Sequence, residues 1–191
     1  MSRPKLSASQ ALKIAQEYIN ERNKHIMGFN KHYIPSTIDS DIDKSVQYYE
    51  DFFALTGGAW IVELDFRDFE ELLVVSDEQK VISFWILGID RNKIPEIYTK
   101  LTTDQLLQIA QSYNDEYDLE GVIYPNHGES IFFYEKFEHV EGYSWIINMN
   151  VPPSPYGGGD MVSLVFSDEK ACVEYMFDPS GYPIAPHSDD D

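Results

Sequence analysis

SQALKIAQEY (Ser9–Tyr18) and DQLLQIAQSY (Asp104–Tyr113) are the two stretches whose reading decides the fold. They align residue for residue. Each places apolar groups at helical spacing: Ala11, Ile14, Ala15 and Tyr18 in the first, Leu106, Ile109, Ala110 and Tyr113 in the second. Each also follows a residue able to cap a helix, Ser7 in one case and Thr102 or Thr103 in the other, whose hydroxyl accepts from an orphan backbone N–H. One amphipathic helix is therefore expected twice.

Two further matches lie downstream in the same order. AWIVEL (Ala59–Leu64) parallels SWIINM (Ser144–Met149), both β-branched and aromatic runs that read as strands. LLVVSDEQKVISF (Leu72–Phe84) pairs without gaps with SLVFSDEKACVEY (Ser163–Tyr175). Each of these reads as strand, polar Ser-Asp-Glu turn, strand. The three ordered matches predict an α+β fold made of two diverged copies of a helix followed by an antiparallel β-meander. Residues 1–93 form the first copy; residues 94–191 form the second, with an acidic tail. A single helix on a small sheet buries little apolar area, so the copies are expected to pack as one unit. The short polar segment Asp90–Pro95 marks the boundary. IFFY (Ile131–Tyr134) adds a strand to the second copy, and Trp60, Trp145, Phe84 and Tyr175 are expected in the core. The copies differ in their inserts: Asn23 to Asp51 in the first, Asp115 to Gly128 and the proline- and glycine-rich Val151 to Asp160 in the second.

Composition narrows the function. The 191 residues are 43% hydrophobic and 14% aromatic, which suits a packed core and argues against wholesale disorder. Asp and Glu total 33 against 14 Lys and Arg, a formal charge of −19. Such a chain repels nucleic acid and anionic membranes, and it attracts basic protein surfaces and speeds encounter with them. Solubility alone is the competing explanation of the charge. The single cysteine, Cys172, excludes an intrachain disulfide, and the apolar alternation Ala171-Cys172-Val173 predicts a buried thiol. No stretch approaches the roughly 18 apolar residues of a membrane span, and no apolar run follows the basic Met1–Lys5 segment, so the expected compartment is the cytoplasm.

Motifs for chemistry are sparse. Asp39, Asp41, Asp43 and Glu50 stand at positions 1, 3, 5 and 12 of an EF-hand-like spacing, but Lys44 occupies the sixth, where the turn wants glycine, and its ammonium opposes calcium. The histidines His25, His32, His127, His139 and His187 share no ligand spacing, and Gly157-Gly158-Gly159 lacks the Gly-Lys-Ser/Thr ending of a phosphate loop. No cofactor, metal or catalytic residue is expected. Tyrosine beside carboxylate instead suits a contact with a basic protein, because it offers area with few rotors and a polar tip. The residues expected to carry such a contact are Tyr48, Tyr49, Glu50 and Asp51 in the first copy, and Asp115, Glu116, Asp118 and Tyr156 in the second.

The Ala-Leu-x-Ile-Ala-x-x-Tyr helix, the Trp-Ile strand and the terminal hairpin together resemble the small helix-plus-sheet immunity proteins of bacterial polymorphic toxin systems, and more loosely PepSY-type inhibitory modules. The resemblance spans both copies. It implies a cytoplasmic protein without catalysis of its own that occludes a cognate toxin. It assigns no residue, because such families recognise their targets through variable surfaces. An acidic DNA mimic or a general inhibitory binding module is the alternative.

Overall fold

The computed structural model describes residues 4–29, 35–38, 45–65, 71–87, 89, 91–123, 130–152 and 160–184. Helices and antiparallel strands coexist, so the fold class is α+β. The chain divides into two compact units: residues 1–85 with 126–128, and residues 86–125 with 129–191.

In the first unit, helix α1 (Ala8–Phe29) precedes the strands β1 (Thr37–Ile38), β2 (Val46–Tyr49), β3 (Ala59–Asp65), β4 (Glu71–Ser76) and residues 81–85 of β5 (Val81–Leu87). β1 and β2 both pair antiparallel with β3, which pairs with β4, which pairs with residues 81–85 of β5. α1 starts where expected. Ser7 N–H donates to Gln10 Oε1 (2.8 Å) and Gln10 N–H donates back to Ser7 Oγ (3.3 Å), the reciprocal bonds of a capping box. The helix is longer than its periodic stretch, so Asn23–Phe29 continues α1 and is no insert. Ala11, Ala15 and Ile19 lie fully buried against Val62, Leu64, Leu73 and Val75 of the sheet. Ile14, Tyr18 and Trp60, expected in the core, are only half-buried at its margin. The stripe is centred on 11, 15 and 19, one step around the helix from the expected centre.

Burial pushes the Tyr18 phenol up to about 12; Glu71 reinforces the shift and Arg22 opposes it. The ordinary value is 10.0, so the folded chain keeps this proton after the unfolded chain has lost it. The corresponding stability is fully present below pH 10 and is lost as the pH rises through about 12. Denaturant midpoints measured across that window should therefore fall less steeply for Tyr18→Phe than for the wild type. Parallel declines would refute the assignment.

The second unit opens with a 3-10 turn at Arg91–Glu96 and helix α2 (Thr103–Glu116), followed by β6 (Ile131–Tyr134), β7 (Ser144–Asn150), β8 (Met161–Ser167), β9 (Cys172–Phe177) and β10 (Pro183–Ile184). These strands pair antiparallel in sequence order. Thr102 and Gln105 close a capping box at the start of α2, which lies against β7. Leu106 and Ala110 are fully buried and Tyr113 nearly so, while Ile109 is half-buried. Trp145, Ile147 and Met149 alternate to one face of β7 and have no exposed surface. Ile146 and Val165 join Val140 on the other face, ringed by Phe132, Tyr134, Phe137, Tyr175 and Phe177. Tyr175 is thus half-buried at a rim, where its hydroxyl donates to the Glu138 carbonyl (2.9 Å), and is not a core residue.

The two hairpins, gapless in sequence match, differ in strand register. Val75 faces Val81 with residues 76–80 between them, whereas Phe166 faces Val173 with residues 167–172 between them, and an irregularity follows between Val165 and Phe166. Phe84 therefore faces Leu72, while Tyr175 faces Val165. Cys172, the first residue of β9, pairs with Ser167 at the end of the hairpin and is exposed rather than buried.

The hairpin turn of each unit grips the start of that unit's helix. In the first, Asp77 Oδ1 accepts from Lys5 N–H (3.1 Å), Asp77 N–H donates to the Gly58 carbonyl (3.1 Å), and Lys5 Nζ pairs with Glu78. In the second, Asp168 accepts from Lys100 N–H (2.8 Å) and Leu101 N–H (3.1 Å), its own N–H donates to the Tyr143 carbonyl (3.0 Å), and Lys100 Nζ pairs with Glu169 (2.7 Å).

Candidate functional site

A buried ion pair lies within the first unit. Arg22 projects from α1 and meets Glu71, the first residue of β4, with both carboxylate oxygens engaged. The guanidinium also donates to Ser36 Oγ (2.9 Å), and Ser83 Oγ–H on β5 donates to Glu71. Asn23 reinforces the group, giving its Nδ2–H to the Ser36 carbonyl (2.8 Å) and accepting from Ser36 N–H (3.2 Å). Arg22 is 7% exposed and Glu71 4%, and Ser36 and Ser83 are as hidden. A cluster so closed gives no substrate a path to its charges. Its role is to fix where α1 sits on the sheet: an ion pair in low dielectric is strongly penalised if either partner is displaced.

Of the residues expected to bind a partner, Tyr48 is the most committed to the fold. Its hydroxyl donates to Asp77 Oδ2 (2.9 Å), and its ring leans on Trp60 with centroids 5.0 Å apart. Gly58 makes room for it, since a Cβ there would strike the Tyr48 hydroxyl. Tyr49, next along β2 and so on the opposite face, sits edge-on to Phe52 at 6.0 Å. Burial, with the Glu63 charge, raises its phenol. Glu50 and Asp51 follow and are exposed. Positions 8 to 11 of the EF-hand-like spacing are β2 itself, and Asp39–Lys44 lie outside the described residues.

In the second unit, Asp115 and Glu116 belong to the last turn of α2 rather than to an insert. Both are exposed, as are Asp118 and Glu120 just beyond. The helix closes with Tyr117 N–H on the Tyr113 carbonyl (3.1 Å), and the two tyrosine rings pack at 4.4 Å. The chain then bends back over Asn114, a buried side chain whose Oδ1 accepts from Gly121 N–H (2.7 Å). That bend holds Asp118 at φ 50° and Glu120 at φ 52°, in the left-handed region that side chains disfavour. The last turn carries no basic residue, and Gln111 steadies Asp115 with a bond of 2.8 Å. Four carboxylates thus crowd the negative end of a helix. Tyr156 lies outside the described residues; the connection that contains it is closed by Val151 N–H on the Asp160 carbonyl (2.7 Å).

Sequence reasoning missed a cleft of about 230 Å³ lined by Ile89, Lys93, Glu96, Ile97, Glu135 and Tyr143. These residues come from two separate stretches of the second unit, 89–97 and 135–143, so no local spacing announces the whole of it. Among the described residues, no helix is long and apolar enough to cross a membrane, and no group of three or more His, Cys, Asp or Glu could hold a metal ion. No protein-family model, curated protein or solved structure matches the chain.

Proposed function

We propose that this chain is a cytoplasmic inhibitor, an immunity-type protein that docks on a basic protein toxin and occludes it without catalysis of its own. The observation that carries the reading is the acidic end of α2. Asp115, Glu116, Asp118 and Glu120 are exposed around a helix terminus whose dipole opposes negative charge, and two of them sit on a disfavoured backbone. A carboxylate in the last turn costs about 0.3–1 kcal/mol at low ionic strength, which applies to Asp115 and Glu116. Groups kept where they weaken the fold are characteristic of surfaces that serve binding. Glu50 and Asp51 beside Tyr49 form the corresponding acidic and aromatic patch of the first unit. Tyr48 supports that patch from within the fold, and Tyr156 completes the proposed set from the β7–β8 connection.

The proposal includes an origin for the architecture: the two units are diverged copies of one helix-plus-meander element. Register supports it. Trp60 faces Val75 and Ala59 faces Ser76; Trp145 faces Phe166 and Ser144 faces Ser167. The capping boxes and the Lys-to-Asp-Glu grip on each helix start recur at corresponding places.

The test is association with the product of the adjacent gene, followed by stopped flow across ionic strength. Asp115→Asn combined with Glu116→Gln and Asp118→Asn should slow association about tenfold at low salt and flatten its salt dependence. Tyr49→Ala should instead speed dissociation, at a cost of about 2 kcal/mol. Association indifferent to salt and to all four substitutions would reject these surfaces. Equal binding to several unrelated DNA-binding proteins would favour the DNA-mimic alternative.

A further inference from the structure

We infer that the cleft of the second unit receives one arginine side chain of the basic partner. This assignment rests on the proposed binding role and names its anchor. The cleft is too small for a metabolite of ordinary size, whose pockets run from roughly 300 Å³ upward, but its volume suits a single long side chain.

Its walls match that side chain part by part. Ile89 and Ile97 are buried and give an apolar floor for the methylene stem. Tyr143 offers a flat ring held firmly from behind: it packs on Phe133 at 5.3 Å, and Phe133 packs on Trp145 at 4.5 Å, with both of these residues fully buried. A guanidinium stacks on such a face, which a compact ammonium does less well. Glu96, at the end of the 3-10 turn, and Glu135, just after β6, are exposed at the cleft. Neither has an ion-pair partner among the described residues. Lys93 offsets one of the two charges, leaving the described lining residues net negative by one. A planar fork of donors pairs with a carboxylate through two bonds, so the residual charge selects arginine over neutral side chains. A rigid aromatic wall, an apolar floor and unpaired carboxylates are the ingredients of an interface hot spot.

The probe is N-acetylarginine amide, titrated while the methyl resonances of Ile89 and Ile97 and the ring resonances of Tyr143 are followed. Saturable shifts at these residues are expected, with at least fivefold weaker binding in Glu96→Gln/Glu135→Gln. N-acetylnorleucine amide should produce neither effect. The same double substitution should speed dissociation of the complex with the adjacent gene product at least tenfold. Shifts as large with N-acetylnorleucine amide, or shifts untouched by the double substitution, would overturn the assignment. So would a partner complex indifferent to Glu96→Gln/Glu135→Gln, and in that case the inhibitory role still stands. Failure of the inhibitory role shows separately, as the absence of any complex with the wild-type chain.

Discussion

Arg22→Ala and Glu71→Ala are each expected to destabilise the first unit by about 3–5 kcal/mol, because each strands the opposite charge in a site with almost no water. Both carboxylate oxygens of Glu71 are occupied by the guanidinium, and Ser36 and Ser83 complete the shell. Removing the arginine leaves a carboxylate 4% exposed with, among the described residues, a serine hydroxyl as its remaining hydrogen-bond partner. The double substitution Arg22→Met/Glu71→Met removes both charges and keeps apolar volume. It should recover most of the loss, since a buried pair contributes little beyond what packing can replace. Urea unfolding of the wild type, Arg22→Met, Glu71→Met and their double gives the cycle. Additive single and double losses would show that the two residues do not act as a pair.

Asp168→Ala is expected to have the next largest effect, about 3 kcal/mol or more. The carboxylate is 4% exposed and accepts three N–H groups: Lys100 (2.8 Å), Leu101 (3.1 Å) and the Trp145 indole (3.3 Å). Alanine leaves all three donors buried or half-buried without an acceptor, and bonds to a charged group contribute about 1.5–3 kcal/mol each. It also unfastens the start of α2 from the β8–β9 turn. The first-unit substitution Asp77→Ala should cost only about 1 kcal/mol, because that side chain is half-exposed and water replaces much of what is lost. Chemical denaturation separates the two; equal effects would contradict the burial argument.

The helices and the tryptophan strands were legible because their signals are local. Helical spacing from Ala11 to Ala15 and from Leu106 to Ala110 stays on one face whatever lies beyond, and runs such as Trp60–Val62 admit little but a strand. The hairpins were legible as hairpins but not in register. Gapless similarity conceals a shift of register and the irregularity near Val165, which give Phe84 and Tyr175 different partners, and it did not reveal that Cys172 sits exposed at the hairpin end.

Two features carried signals that went unread. Arg22 continues the stripe of Ala15 and Ile19, and Glu71 shares the phase of Leu73 and Val75. A charge on each of two apolar faces implies that they meet. Lys5-Leu6-Ser7 and Lys100-Leu101-Thr102 extend the helix match upstream, and the Asp-Glu pairs of the turns are their partners. The cleft offered no such signal, since it exists only once Ile89, Glu96, Glu135 and Tyr143 are brought together by the fold. The proposed partner surface was legible as composition. What composition could not give was that Asp115 and Glu116 end a helix and that Tyr48 is tied to Asp77.

The central claim is that exposed acidic surfaces of this chain hold a basic protein. Hydrogen–deuterium exchange of the chain, alone and with the adjacent gene product, tests it most directly. Slowed exchange is expected at residues 49–51 and 115–121 and around Glu96, Glu135 and Tyr143, with the buried faces of α1 and α2 unchanged. A stable complex that leaves all of these segments exchanging as in the free chain would contradict the claim.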